Sequence, residues 1–317
     1  MEDTKIYSLE ELKGTTLDFN YTDLRQTQGW SNFLNTLGWK TQITSSGIFV
    51  QIINTVFMKV AKIQRPHPLN ESDMSEIDLI AKKYNLAFVK IEPSIMQEVG
   101  LLVKNGYQKS LFPLIPPSTV FMDLTLSETD LWSRLSHSAK YSINRARREG
   151  TVVKIIKNPT KEQVEVFQKL AASTGLKKKF YVPTLTENLK KATEFLDNCV
   201  LAFSYDSLGE LTGAKFHLIN GKAVWYLHGG TSDHGQKDKS GYLLTWETIL
   251  YFKQLGMKIF DFEGVSDPRF PLYTMNWEGL THFKRKFNGY EAQYPDPYIK
   301  IYNPVLKSMS GLLNLPL

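Results

Sequence analysis

The 317-residue chain has a single cysteine, Cys199. One thiol cannot close an internal disulfide, so the fold has to rest on its core, and a reducing compartment is expected. Cys199 sits in the apolar run Cys199–Phe203, which reads as a buried structural thiol rather than a nucleophile. No apolar run approaches the ~20 residues needed to span a bilayer. The first residues, Met1-Glu2-Asp3-Thr4-Lys5, are charged and no apolar segment follows, so no secretion signal is read and a cytoplasmic location is expected. The six histidines are scattered, and neither His-x-x-x-His nor Cys-x-x-Cys occurs, so no metal site is expected. Gly-x-Ser-x-Gly, the Walker A loop and the dinucleotide-binding glycine fingerprint are also missing. Nicotinamide chemistry is therefore not expected, and no cofactor is implied.

What is present is an ordinary globular composition, 42% hydrophobic and 22% charged. A single core stops growing near ~250–300 residues, which favours two domains. The formal net charge of +6 suits an anionic partner: a nucleic acid, a nucleotide or an acidic lipid head group. Charge alone does not choose among them.

Along the chain, residues 26–34 read as a short amphipathic helix ending near Gly38. Residues 47–63 read as a β-hairpin turning at Asn54-Thr55. Met74, Ile77, Ile80 and Ala81 share a face of a helix over 71–84. A strand over 87–91 and a helix over about 94–105, stopped by Gly106, follow. Pro113–Pro117 is the best linker. After it come a strand at 119–124 and one long helix from the cap Ser127 to about Glu149. A strand at 151–156, helices at 160–174 and 185–197, and strands at 199–205, 211–219 and 222–230 continue the pattern. Asn220-Gly221 marks the last hairpin. A helix over about 241–255 and a strand over 258–262 complete it. The two halves share a layout of mixed strands and helices, which implies an α+β protein of two similar domains.

Four stretches could carry chemistry. The helix 127–149 bears Arg134, Lys140, Arg145, Arg147 and Arg148, either a phosphate-binding end or a solvated face. The stretch Ser173–Phe180 holds Lys177, Lys178 and Lys179 beside Gly175, either a phosphate-binding loop or a solvated one. Tyr226-Leu227-His228-Gly229-Gly230 is a strand opening into glycines that allow close approach. In Trp277–Gly289 aromatic and basic residues interleave, suited to stacking and phosphate pairing or to a plain basic turn.

The order of these motifs resembles the Fem family (FemA, FemB and FemX) of bacterial aminoacyl transferases. Gln26-Thr27-Gln28-Gly29-Trp30 with Gly38-Trp39, Arg65-Pro66-His67-Pro68, Lys90-Ile91-Glu92-Pro93, and Thr119–Leu124 with the helix to Gly150 carry the first half of the likeness. Trp225–Gly230, Phe260–Gly264 and Gly279–Lys284 complete it over about residues 26–290. The resemblance implies two tandem domains of the acetyltransferase (GNAT-like) type, set at 1–145 and 146–297, with a tail at about 298–317 that could return to the first. It implies transfer of an amino acid from aminoacyl-tRNA to an amine on the stem peptide of a nucleotide- or lipid-linked peptidoglycan precursor.

Lys284 is then the essential basic residue, Phe283 its support and Glu92 the acidic position. Trp30, Arg65, Tyr226, Gly229, Gly230, Lys177 and Lys179 are the substrate-binding candidates. Two acceptor-side residues of the family pattern have no counterpart: no lysine follows Trp30 in Ser31–Asn35, and no arginine stands near Tyr181–Thr184. A lipid-linked acceptor and a contact of the apolar Leu306–Leu317 tail with the inner membrane face therefore stay open. So do an acyl-coenzyme A transferase, whose phosphate loop Gly235–Tyr242 would supply poorly, and a non-catalytic RNA- or membrane-surface module. The resemblance does not fix the oligomeric state.

Overall fold

The computed structural model describes residues 5–313, with side chains through Ser308. In chain order the strands are β1 Ile6–Tyr7, β2 Lys40–Ile43, β3 Phe49–Asn54, β4 Lys59–Gln64, β5 Phe88–Glu92, β6 Gln108–Lys109, β7 Ser118–Asp123, β8 Val152–Lys157, β9 Cys199–Tyr205, β10 Leu211–Asn220, β11 Ala223–Thr231, β12 Ile259–Gly264, β13 Tyr290–Gln293 and β14 Tyr298–Ile301. The α-helices are α1 Leu9–Lys13, α2 Gln28–Asn35, α3 Glu71–Tyr84, α4 Val99–Lys104, α5 Glu128–Arg134, α6 His137–Arg148, α7 Lys161–Lys178, α8 Leu185–Phe195, α9 Asp233–Lys237, α10 Ser240–Gln254, α11 Glu278–Arg285 and α12 Pro304–Leu313.

The α+β expectation is met by two mixed sheets flanked by helices. The chain divides into two compact units whose boundaries differ from 1–145 and 146–297. Among the described residues the first comprises 5–21, 118–266 and 274–292; the second comprises 22–117, 267–273 and 293–313. The physical reason is strand pairing. β7 is buried along its whole length and pairs antiparallel with β12, so the break falls just after Pro117, at the proline-rich linker. β14 pairs with β5 and β6, which returns residues 298–301 to the second unit. Residues 314–317 of the expected tail lie outside the described residues.

The first unit is an eight-stranded sheet in the order β1-β13-β7-β12-β11-β10-β9-β8. Strand β10 is buried on both faces, because α7 packs on one side and α10 on the other: Phe216 meets Phe167 of α7, and His217 meets Phe252 of α10. The expected single helix over 127–149 is two. The chain turns extended at Leu135, and Ser136 starts α6 by accepting from the Ala139 N–H, a second capping site within the run. Helix α7 runs four residues past the expected end at Thr174. Gly175 lies inside it because a Cβ there would stand 2.4 Å from Val182 Cγ2, so the glycine serves close packing rather than a loop.

The second unit is a six-stranded sheet, β2-β3-β4-β5-β14-β6. Its apolar face (Val50, Ile52, Ala61, Ile63, Val89, Ile91) packs on Met74, Ile77, Ile80 and Ala81 of α3. That helix follows the predicted bounds, with Asn70 and Asp73 forming a capping box. The hairpin turn lies at Thr55–Met58 rather than Asn54-Thr55, since pairing continues through Asn54 and Lys59 and the Thr55 amide and hydroxyl both bond the Met58 carbonyl.

Candidate active site

The site in the first unit is built at a fork. β11 and β12 pair in parallel at Ala223–Trp225 with Ile259–Asp261, and the pairing stops there. Past that point β12 kinks: Glu263 has φ 57°, an uncommon left-handed conformation for a non-glycine residue. Asp261 holds the kink by accepting from the Glu263 N–H at 2.7 Å and from the Thr119 hydroxyl, which also contacts the Glu263 carbonyl. The kink turns the Gly264 carbonyl toward α11, where Lys284 Nζ donates to it at 2.6 Å.

Helix α11 is the stretch that reads from sequence as a basic aromatic turn. Thr281 and Lys284, three apart, face inward; His282 stays outside, and Arg285 makes two 2.7 Å bonds to Glu291. Ser266 anchors the helix through two bonds to the Thr281 hydroxyl. Phe283 packs edge-on to Tyr242 at 4.9 Å and to Phe287 at 5.4 Å, so it fixes the helix on α10 and the core. Lys284 is 4% exposed. Burial drives its pKa down to about 8 against the opposing pull of Glu263 and Asp261.

Tyr226 and Lys284 come together, with Lys284 Nζ 5.6 Å from the Tyr226 ring centre. A third residue joins them that sequence reasoning missed. Lys215, in the middle of β10, is 5% exposed and donates to the Tyr226 hydroxyl at 2.9 Å. Its Nζ is also 5.0 Å from the Phe283 ring centre. Burial, and secondarily the Lys284 ammonium, holds Lys215 well below the ordinary lysine value. Burial pushes the Tyr226 phenol up. Two amines thus converge on one phenol in a buried site, with Asp261 and Glu263 as the nearby opposite charges.

Gly229 allows this arrangement. It pairs with Lys215 across the ladder, and a Cβ on it would lie 2.7 Å from Tyr226 Oη and 2.6 Å from the Ala214 carbonyl oxygen. Gly230 serves packing instead: its Cβ would meet the α7 backbone at Leu170 and Ala171 within 2.8 Å. Lys177 sits in the last turn of α7, where the helix dipole favours a cation, and pairs with Asp233 at 2.7 Å. Lys179 is the left-handed cap of that helix. Among the described residues neither has a hydrogen bond or ion pair with the Lys284 cluster. On α6, Arg145 and Arg147 pair with Glu149 and Glu247, so much of that basic face is already matched. Gly235 lies in α9 with its N–H taken by Ser232 Oγ, and a Cβ there would clash with the Thr212 carbonyl. That stretch is not an open phosphate loop.

Trp30, Arg65 and Glu92 belong to the second unit. Gln26 there inserts its amide between β3 and β4, accepting from the Phe49 N–H and donating to the Gln64 carbonyl. Its motif position is thereby explained by backbone satisfaction. Trp30 follows on α2, half-buried and edge-on to Phe33. Arg65 is left-handed at φ 50°, donates to the Pro93 and Pro116 carbonyls at 2.7 Å each, and stacks 3.5 Å from the Tyr294 ring centre. Glu92 is buried and accepts from the Leu114 and Ile115 N–H groups, so its oxygens hold the proline-rich turn. Desolvation raises its pKa against the pull of Arg65. Lys90 and Lys62, paired in register beside it, are both pushed down by burial, Lys62 to about 8.

The model of the FemAB family matches residues 187–314, a stretch that contains Lys215, Tyr226, Phe283 and Lys284. The resemblance to the Fem family holds. The crystal structure of FemX matches at TM-score 0.77 and 13% identity, covering 98% of this chain and 99% of that one. The C-terminal domain of a putative lysylphosphatidylglycerol synthetase from Agrobacterium fabrum matches at 0.62 and 13%, covering 91% and 92%. L-PGS from Bacillus licheniformis matches at 0.58 and 14%, covering 87% and 88%. At such identities these likenesses establish the fold. No curated protein matches. The FemAB match on the Fem-like fold supports an aminoacyl-transfer enzyme. No helix among the described residues is long and apolar enough to cross a membrane.

Proposed function

We propose that the chain moves an amino acid from aminoacyl-tRNA to an amine on the stem peptide of a nucleotide- or lipid-linked peptidoglycan precursor, in the cytoplasm. The observation that carries this reading is the buried Lys284–Tyr226–Lys215 cluster at the β11/β12 fork, inside the FemAB match. Aminolysis of an ester needs no covalent enzyme intermediate. The acceptor nitrogen attacks the ester carbonyl, the C–N bond forms, and the bond to the tRNA 3′ oxygen breaks. One proton leaves the nitrogen and one reaches the departing oxygen.

Lys284, an ammonium at pH 7, offsets the oxyanion as it develops. In a site with little water such a fixed charge is worth far more than in solution. Lys215 yields its proton readily and stands behind the Tyr226 hydroxyl. With Lys215 as the neutral amine its hydrogen bond with Tyr226 reverses: the hydroxyl gives its own proton to the Lys215 amine as it takes the nitrogen's proton, and the relay then runs back to protonate the departing 3′ oxygen, in place of a carboxylate base. Phe283 holds α11 at the geometry this needs, and positioning of the two substrates supplies ~7–11 kcal/mol of the barrier reduction.

Purified protein mixed with charged tRNAs and precursors should raise the precursor mass by one aminoacyl residue. Tyr226→Phe and Lys215→Met should each slow that step ~100-fold, as for loss of proton transfer. Absence of any mass increase across all donors and precursors would overturn the reading. Tight acyl-coenzyme A binding with transfer from that donor would replace it.

A further inference from the structure

The β3–β4 hairpin of the second unit closes on Thr55-Val56-Phe57-Met58. Tight turns ordinarily use glycine, asparagine, aspartate, proline or serine, because those residues satisfy the turn locally and face water at little cost. Here the two central residues are Val56, 91% exposed, and Phe57, 90% exposed. Neither has a positive φ, so the backbone does not explain the choice. A valine and a phenylalanine side by side in water, at the tip of a paired ladder, form a small apolar wedge.

The wedge forms part of the wall of an open cavity of about 720 Å³. Its wall includes Asn54, Lys59, Lys82, Asn85 and Tyr302, and no carboxylate lines it. Among the described residues neither Lys59 nor Lys82 is in an ion pair, and exposed Lys83 follows on α3. The carboxylate one turn earlier on α3, Asp78, is already bound by Lys300 at 2.7 Å and by the Tyr302 hydroxyl at 2.5 Å. The cationic rim is therefore uncompensated. An aromatic–aliphatic tip backed by lysines matches the layering of a bilayer surface, where rings sit at the head-group level and lysines meet anionic phosphates.

We propose that the Thr55–Met58 tip, with Lys59 and Lys82 behind it, docks on an anionic phospholipid bilayer. This inference stands apart from the transfer reaction and would survive its failure. The test is co-sedimentation of the full chain with phosphatidylcholine vesicles, with and without phosphatidylglycerol. The wild type should bind the phosphatidylglycerol vesicles, less so as salt rises. Val56→Ser with Phe57→Ser should lower the partition coefficient about tenfold or more, with an unchanged melting curve because both side chains lie outside the core. Lys59→Gln with Lys82→Gln should erase the preference for the anionic vesicles. Failure of the wild type to sediment, equal binding to both vesicle types, or wild-type binding by the serine variant would each overturn the proposal.

Discussion

Replacing Lys284 by methionine should stabilise the first unit while removing its chemistry. In the unfolded chain the lysine keeps its proton to about pH 10.5; in the fold burial lowers that to about 8. At pH 7 the ammonium is present in both states and is disfavoured only in the folded one. At ~1.36 kcal/mol per pH unit, the drop from 10.5 to about 8 costs about 3 kcal/mol. Methionine fills nearly the same volume without that cost but gives up the 2.6 Å bond to the Gly264 carbonyl, about 1 kcal/mol.

The variant should therefore be more stable by about 2 kcal/mol at pH 7. The sign of the pH dependence follows. Below pH 8 both states of the wild type hold the proton, so the gap is constant. Between about 8 and 10.5 the unfolded wild type binds more protons, so its stability rises with pH and the gap closes. Urea denaturation of both proteins across pH 7–10 measures this. A methionine variant less stable than wild type at pH 7, with no trend toward higher pH, would refute the burial cost assigned to Lys284.

Three further outcomes follow from the same geometry. Single-turnover transfer should fall above about pH 8 as Lys284 loses its proton, and Lys284→Arg, which stays charged, should lose that limb whatever its absolute rate. A pH-rate profile of the two proteins decides it. Gly229→Ala should cost about 1–3 kcal/mol by crowding the Ala214 carbonyl and should slow transfer by displacing the Tyr226 hydroxyl; melting curves and transfer rates check both parts. Glu92→Gln should cost about 1–3 kcal/mol, because an amide cannot accept at both oxygens from Leu114 and Ile115. Urea titration measures the loss, and transfer per folded molecule should stay within a few-fold of wild type.

Much of the fold was legible because its elements obey local rules. The helix 71–84 carries a four-residue apolar stripe and a capping box, and the Asn220-Gly221 turn separates two strands that pair as expected. What the sequence hid were features decided by contacts across the chain. β7 reads as the start of something new after the prolines, but only its pairing with β12 shows which unit owns it. Gly175 reads as part of a lysine-rich loop until Val182 is seen to need the space.

The site shows the same division. Lys284, Phe283 and Tyr226 could be named from ordered motifs. Lys215 could not, since one lysine in an alternating strand reads as a position facing water. The available signal was its setting among Leu211, Ala214, Phe216 and Leu218 in a run apolar enough to be covered on both faces. Glu92 was legible as an acidic position but not as a holder of backbone, because its partners lie 22 and 23 residues away.

The central claim is that Lys284 carries charge stabilisation for aminoacyl transfer, and single-turnover transfer from charged tRNA by wild type, Lys284→Arg and Lys284→Met tests it most directly. The account predicts a fall of ~10²–10³ for the methionine variant, as for loss of one oxyanion donor, with a folded and more stable protein and partial activity in the arginine variant. Wild-type rates in a folded Lys284→Met protein would contradict it.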